Sequence, residues 1–288
     1  MNACSGDRLR SAPRIGSFMT IPKVCLCLLT LASTLFPLRL MAESVGAIAF
    51  TSAPLMGESK YSKEGLQIDL LRAVMSITAM DLTVEILPRA RANVKYQEGH
   101  VPIFLGPTQT LTDDFRKHVT EIPLFVVQNV VFYKKAKFPQ FSFKQYSDLK
   151  KYSIGVLRSG ASEKIGAAYG LKFDRAPAAT NLMKKLDADR TELAIAVDLA
   201  GMLTIEELFP DRANTFDYYK ETPFLLLRAQ IIVNNDYPQA KSLIEKMRAG
   251  LRIIYANGTW LKIMEKYYGT GNVPERSKRL VEDYIKSM

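Results

Sequence analysis

Cysteine is confined to the start of the chain: Cys4, Cys25 and Cys27 are the only three, and nothing after them carries a thiol. From that point on, disulfides, thiolate metal sites and a cysteine nucleophile are excluded. Histidine is nearly as scarce. His100 and His118 are the only two, and neither stands in a metal-ligand spacing such as H-E-x-x-H. No nucleophile elbow, phosphate-binding glycine loop or dinucleotide fingerprint occurs in the sequence. Scattered Lys and Tyr form no RNA-binding signature. Trp260, the single tryptophan, lies in a late helical stretch and reads as core. These absences point to a non-enzyme with no metal, no organic cofactor and no nucleic-acid partner.

Long apolar runs are missing too. The run Val24–Phe36, "VCLCLLTLASTLF", follows Lys23 and precedes "PLRLMA". It is shorter than the roughly 20 residues that span a bilayer, and it has the length of a signal-peptide h-region. Residues 1–42 are therefore read as a signal peptide cleaved after Ala42, exporting the protein to the periplasm. Met19 would give a signal peptide of ordinary proportions, so residues 1–18 read as a mis-assigned start. The cysteines end no small-residue lipobox, which argues against a lipid anchor. This leader carries Arg8, Arg10, Arg14, Lys23 and Arg39 against Asp7; removing its +4 from the +10 of the whole chain leaves +6. So mild and dispersed an excess suits an anionic or zwitterionic solute at least as well as nucleic acid.

Beyond residue 42 the chain alternates between strand-like and helix-like segments. "VGAIAFTS" reads as a buried strand. "EGLQIDLLRAVMSITAM" places Leu66, Leu70, Val74 and Ile77 at helical spacing. "DLTVEILP" alternates as a strand, "RARANVKYQEGH" is a short helix ended by Gly99, "VPIFLG" a strand and "DDFRKHV" a helical piece. A long β-rich run, Pro123–Lys135, leads through a polar aromatic bridge into a second β-α series. That series is "SIGVLRSG", "ASEKIGAAYG", "LKFDRAP", "ATNLMKKLDADR", "TELAIAV" and "LAGMLTIEELF". A second long β-rich run, Pro223–Asn235, answers the first, and "YPQAKSLIEKMRAGLRIIYANGTWLKIMEKYYG" after it is strongly helical, with Gly250 and the Asn257-Gly258 break inside it. The pattern predicts an α/β fold with a mostly parallel sheet. It also predicts two lobes joined by two crossing strands, with a ligand cleft between them.

Motif order supports the same architecture. "EGLQIDLLRAV", "LPRARANVKYQEG", "TQTLTDDFRKHVTEIPLF", "YSDLKKYSIGVLRSGASE", "AIAVD" and "AGLRIIYANGTWLKIMEKYYG" follow one another along essentially the whole exported chain. In order and spacing they resemble the family 3 solute-binding proteins of ABC importers, the periplasmic amino-acid-binding type. The resemblance implies a two-lobe, periplasmic-binding-protein-like (type II) fold with two hinge strands. Residues 43–130 and 229–288 would form lobe 1, and 131–228 lobe 2. It further implies a small-molecule ligand, an inner-membrane ABC permease as partner, and a monomer. Arg116 matches the arginine that takes the ligand's carboxylate, with Thr110 and Thr112 where the family places hydroxyls, and Asp198 matches the acid that takes its ammonium. By their chemistry Thr108 and Thr110 offer short hydroxyl hydrogen bonds beside Arg116.

The chemistry of these residues fits those roles. Guanidinium offers a carboxylate a planar, permanently charged fork. Asp198 follows a buried strand, at the sheet end where open α/β folds bind ligands. Ser159, Gly160, Ala161 and Ser162 form a strand-to-helix turn whose free N–H groups suit an anion. Arg91 matches the family's arginine after proline. Arg89 stands where that pattern has tryptophan, leaving Tyr61 as the candidate aromatic, and no acid follows Gly99. The expected ligand is an amino acid or related carboxylate, and these departures open the expectation to a ligand that is not an amino acid. The same residues also fit local roles: Thr112 as a helix cap with Arg116 on a solvated face, Asp198 and Ser162 as caps, Tyr61 at the surface. Two other functions stay open, an orphan extracellular sensor subunit and, on the same fold, an enzyme.

Overall fold

The computed structural model describes residues 43–158 and 160–288; the leader and Ser159 lie outside the described residues. In chain order the elements are β1 (Glu43–Phe50), α1 (Leu66–Ile77), β2 (Met80–Leu87), α2 (Arg89–Gln97), β3 (Ile103–Leu105), α3 (Asp113–Arg116) and β4 (Val119–Lys134). Next come β5 (Ile154–Leu157), α4 (Ala161–Ala168), β6 (Phe173–Ala176), α5 (Ala179–Asp187), β7 (Leu193–Val197), α6 (Asp198–Leu208) and β8 (Phe216–Tyr218). The last four are β9 (Leu225–Asn234), α7 (Ala240–Ala256), α8 (Thr259–Tyr268) and α9 (Glu275–Ser287). No described helix is long and apolar enough to cross a membrane.

The strands form one sheet in the order β2-β1-β3-β9-β4-β7-β5-β6, with β8 also pairing β4. Its flanks are parallel: β1 pairs β2 and β3, and β5 pairs β6 and β7. The centre departs from the expected parallel sheet, because β3-β9, β9-β4 and β4-β7 all pair antiparallel. The two long β-rich runs cause this, since β4 and β9 lie side by side and connect the two parallel flanks. β4 also starts earlier than its apolar run implies. Pro123 lies inside it, and the register against β9 shifts between Pro123 and Phe125. A proline cannot donate to the ladder, so a bulge there is where it is tolerated.

Burial divides along the same line. One core unites Ile48, Leu71, Phe104, Phe125, Ile232 and Met247 with Trp260, whose indole N–H donates to Leu124 O at 2.9 Å. Leu199 and Leu203 of α6 also join it. Beyond β4's midpoint, alternate residues serve opposite faces, as the strand's period of two requires. Val130, Phe132, Ala194 and Ala196 pack with Leu182 and Met183 of α5. Val131, Leu193 and Ile195 pack with Phe141, Phe143 and Phe224. The polar aromatic bridge is thus partly core, with Phe141 and Phe143 both buried. Two glycines are fixed by space. Gly65, at φ +98°, opens α1 where a Cβ would stand 2.7 Å from Leu55 O, and a Cβ on Gly250 of α7 would stand 2.7 Å from Val74 O of α1.

Candidate functional site

The parallel strands of the first flank and β7 end at one place. Phe50 of β1, Gly106 after β3 and Val197 of β7 line a pocket of ≈ 120 Å³ with Gln67, Leu227 and Arg228. A wider cleft of ≈ 660 Å³ shares Arg89, Pro107 and Leu227 with it. On the far side, Gly160, Ala161 and Lys164 at the start of α4 complete the cleft. A separate cavity of ≈ 530 Å³ at Tyr146 and Tyr169 touches none of the strand ends of the first flank.

Arg89 dominates the cleft's chemistry. It opens α2 directly after Pro88, and its guanidinium lies 4.2 Å from the centroid of the Phe50 ring. Desolvation lowers its pKa from the ordinary arginine value, although much of the side chain is exposed. A guanidinium has donors only, and none of the described residues accepts a hydrogen bond or forms an ion pair with this one. Lys164 and Arg228 likewise have no ion-pair partner among the described residues. Glu163 also faces the cleft, and its carboxylate is paired with Arg175.

The expected site residues divide into three groups. Thr110, Gly160 and Ala161 come together in the cleft; the Thr110 hydroxyl donates to Pro107 O at 2.8 Å and lies 3.0 Å from Asn93 Oδ1. Arg116, Arg91, Thr108 and Ser162 are not among the residues lining it. Arg116 turns back along α3 to Asp113, one turn earlier on an exposed face, with Thr112 capping that turn. Arg91 is exposed on α2. The Thr108 hydroxyl is used internally, donating to Glu121 and accepting from Gln230 Nε2 at 2.6 Å. Ser162 of α4 is buried, and its hydroxyl has no hydrogen-bond partner among the described residues. Ser159 lies outside the described residues.

Asp198 and Tyr61 form the third group, in a different cavity of ≈ 430 Å³. Asp198 is 1 % exposed. It accepts from its neighbour's N–H at 2.7 Å, from Gln128 Nε2 of β4 at 3.1 Å, and more weakly from the Tyr268 hydroxyl at 3.5 Å. Burial pushes its pKa up to about 6, against the opposing effect of those bonds. Tyr61 tilts against Tyr267 at 5.2 Å. At the rim, Lys60 and Glu206 pair at 2.6 Å between the loop before α1 and helix α6. Among the described residues no cluster of His, Cys, Asp and Glu could hold a metal ion.

Sequence reasoning missed Arg89, Lys164 and Phe50. Arg89 carried a signal, since it replaced an aromatic at a family position, but that change read as a loss.

No family model matches the sequence, and no curated protein matches it. Its fold, however, is similar to solved structures. One is a polar amino acid ABC uptake transporter substrate-binding protein from Streptococcus thermophilus (TM-score 0.61, 15% identity, covering 83% of this chain and 90% of that one). Another is the L-cystine solute receptor of Neisseria gonorrhoeae in the unliganded open conformation (TM-score 0.61, 13% identity, covering 81% and 95%). A third is a histidine kinase sensor domain with similarity to periplasmic binding proteins (TM-score 0.58, 16% identity, covering 79% and 97%). The motif order and the fold agree: the chain has the two-lobe, periplasmic-binding-protein-like α/β fold.

Proposed function

We propose that this protein is a periplasmic solute-binding protein of an ABC importer, taking a small polar solute that bears a carboxylate. Residues 43–130 with 229–288 form one lobe and 131–228 the other. The signal peptide delivers the chain to the periplasm, where it acts as a monomer and hands its ligand to an inner-membrane permease. The observation that carries this reading is the ≈ 660 Å³ cleft with Arg89 and Thr110 on one wall and the start of α4 on the other. A solute touching both walls binds the closed arrangement better than the open one and so shifts the population toward closure. Arg89, with its unanswered donors, takes the carboxylate in place of Arg116.

A screen of thermal unfolding against amino acids, small carboxylates and polyamines tests this, because a ligand that binds only the folded chain raises its melting point. The expected result is a rise with a carboxylate-bearing solute, accompanied by a smaller radius of gyration in X-ray scattering. No rise with any such solute overturns the reading. The likeness to a kinase sensor domain favours one alternative, a sensor subunit that presents its ligand to a receptor. Deletion of the gene separates the two: an importer component loses uptake of the solute, whereas a sensor loses only the response to it.

A further inference from the structure

The cleft is one-sided in charge. Arg89 enters it from α2, Lys164 from α4, and Arg228 lines the inner pocket from β9. No carboxylate there is at liberty to answer a cation. Glu163 is engaged by Arg175. Glu121, near the cleft, accepts from the Thr108 hydroxyl, and Asp198 follows the pocket-lining Val197 in the chain. The Asp198 side chain is already held by the Leu199 N–H, Gln128 and Tyr268, and it lines the other cavity. An α-amino acid entering this cleft would bring an ammonium group with no carboxylate to meet it. Desolvating an ion without a partner is costly, while only one of the facing cations would be neutralised.

We propose that the cleft selects a small dicarboxylate without an ammonium group, one carboxylate meeting Arg89 over Phe50 and the other meeting Lys164 on the opposite wall. The inference rests on the solute-binding reading above and adds the ligand class to it. Two separated carboxylates fit better than one compact dianion such as phosphate, because the cations come from different elements on opposite walls of a ≈ 660 Å³ space. Guanidinium matches a carboxylate through paired N–H donors, and an ammonium supplies a compact point charge at the other end. Closure brings the walls onto the two ends of one molecule, so the diacid also acts as the link between the lobes.

The test is calorimetric titration and thermal unfolding of the purified protein with succinate, glutarate, adipate, glutamate, glutamine, putrescine and inorganic phosphate. Glutarate and glutamate differ only by the amino group, so that pair isolates the inference. The expected result is that at least one diacid of the series binds and raises the melting point. The best diacid is expected to bind at least about tenfold more tightly than glutamate, with glutamine and putrescine inactive. Arg89→Ala is expected to weaken the diacid by about tenfold or more, and Lys164→Ala by several-fold. Both side chains are largely exposed, and an unchanged melting point of each unliganded variant checks that it folds. Tighter binding of glutamate or glutamine than of every diacid overturns the dicarboxylate while leaving a solute-binding protein in place, and tightest binding of phosphate does the same. If none of the probes binds, both this inference and the solute-binding reading fail.

Discussion

The cleft beside Arg89 and the cavity beside Asp198 lie on neighbouring elements and have opposite character. The first presents Arg89, Lys164 and Arg228, with no partner for any of them among the described acids. The second contains Asp198, Asp217 and Glu206 among tyrosines, and its central carboxylate is buried and already bonded by three donors. The difference teaches that residue type and position in the chain do not by themselves make a ligand contact. A charged group is ready for a ligand when the protein has left it unsatisfied. Arg89 meets that condition and Asp198 does not.

Reversing charge in each cavity gives the largest expected contrast. Arg89→Glu places a carboxylate where the ligand's carboxylate is to lie. It removes a charge-assisted partner and adds repulsion, so the loss is expected to reach about 100-fold or more in the affinity for the best-binding diacid. Asp198→Asn is expected to change that affinity by no more than about twofold, because Asp198 lines the other cavity. Calorimetry on both variants checks the contrast. Equal losses from the two would mean that the cavities act as one site.

Asp198 is expected to act on stability instead. The folded chain takes up a proton there near pH 6, whereas an unfolded aspartate does so only near the usual 3.8. Between those values the native state binds more protons than the unfolded state. The carboxylate's contribution to stability therefore falls as pH rises through about 4 to 6, and the buried charge is a liability at pH 7. The full difference is on the order of 3 kcal/mol. Urea unfolding of wild type and Asp198→Asn at pH 4.5 and 7.5 measures it: relative to wild type, the variant should gain stability at the higher pH. An identical pH dependence in the two proteins would show that Asp198 does not titrate in this window.

The two threonines show how much of this was legible in the sequence. The alternation of strands and helices was readable because apolar spacing repeats cleanly in β1, α1, β2 and β7. Strand β8 is only three residues long and left no periodic trace, whereas α9 carries one, with Ser277, Val281, Tyr284 and Ile285 at helical spacing. The antiparallel centre depends on which long strands lie side by side, which no local window records. For the site, the "TQT" stretch was singled out, and in the structure its residues part company. Thr110 reaches the cleft, while Thr108 turns inward into a chain with Gln230 and Glu121. That partition comes from the short 3-10 turn over Thr108–Thr110, whose tight winding sends its side chains in different directions.

Exchanging each threonine for valine sharpens the same comparison at smaller magnitude. Thr108→Val leaves the buried Gln230 amide without its acceptor, which is expected to cost about 1–2 kcal/mol in unfolding free energy without changing ligand affinity. Thr110→Val should leave stability nearly unchanged and alter affinity by a few-fold. Parallel denaturation and titration of the two variants would reveal the opposite assignment if it were true.

The smallest effect is expected at Arg116, the residue that family motif order placed at the ligand's carboxylate. In the structure Arg116 lies along α3 against Asp113, which is 88 % exposed. Exposed pairs of this kind contribute about 0.5 kcal/mol or less. Arg116→Ala should therefore change neither ligand affinity by more than about twofold nor the unfolding midpoint measurably. A tenfold loss of affinity would return Arg116 to the site, because only a closure that breaks the Asp113 pair and swings the guanidinium into the cleft could produce it.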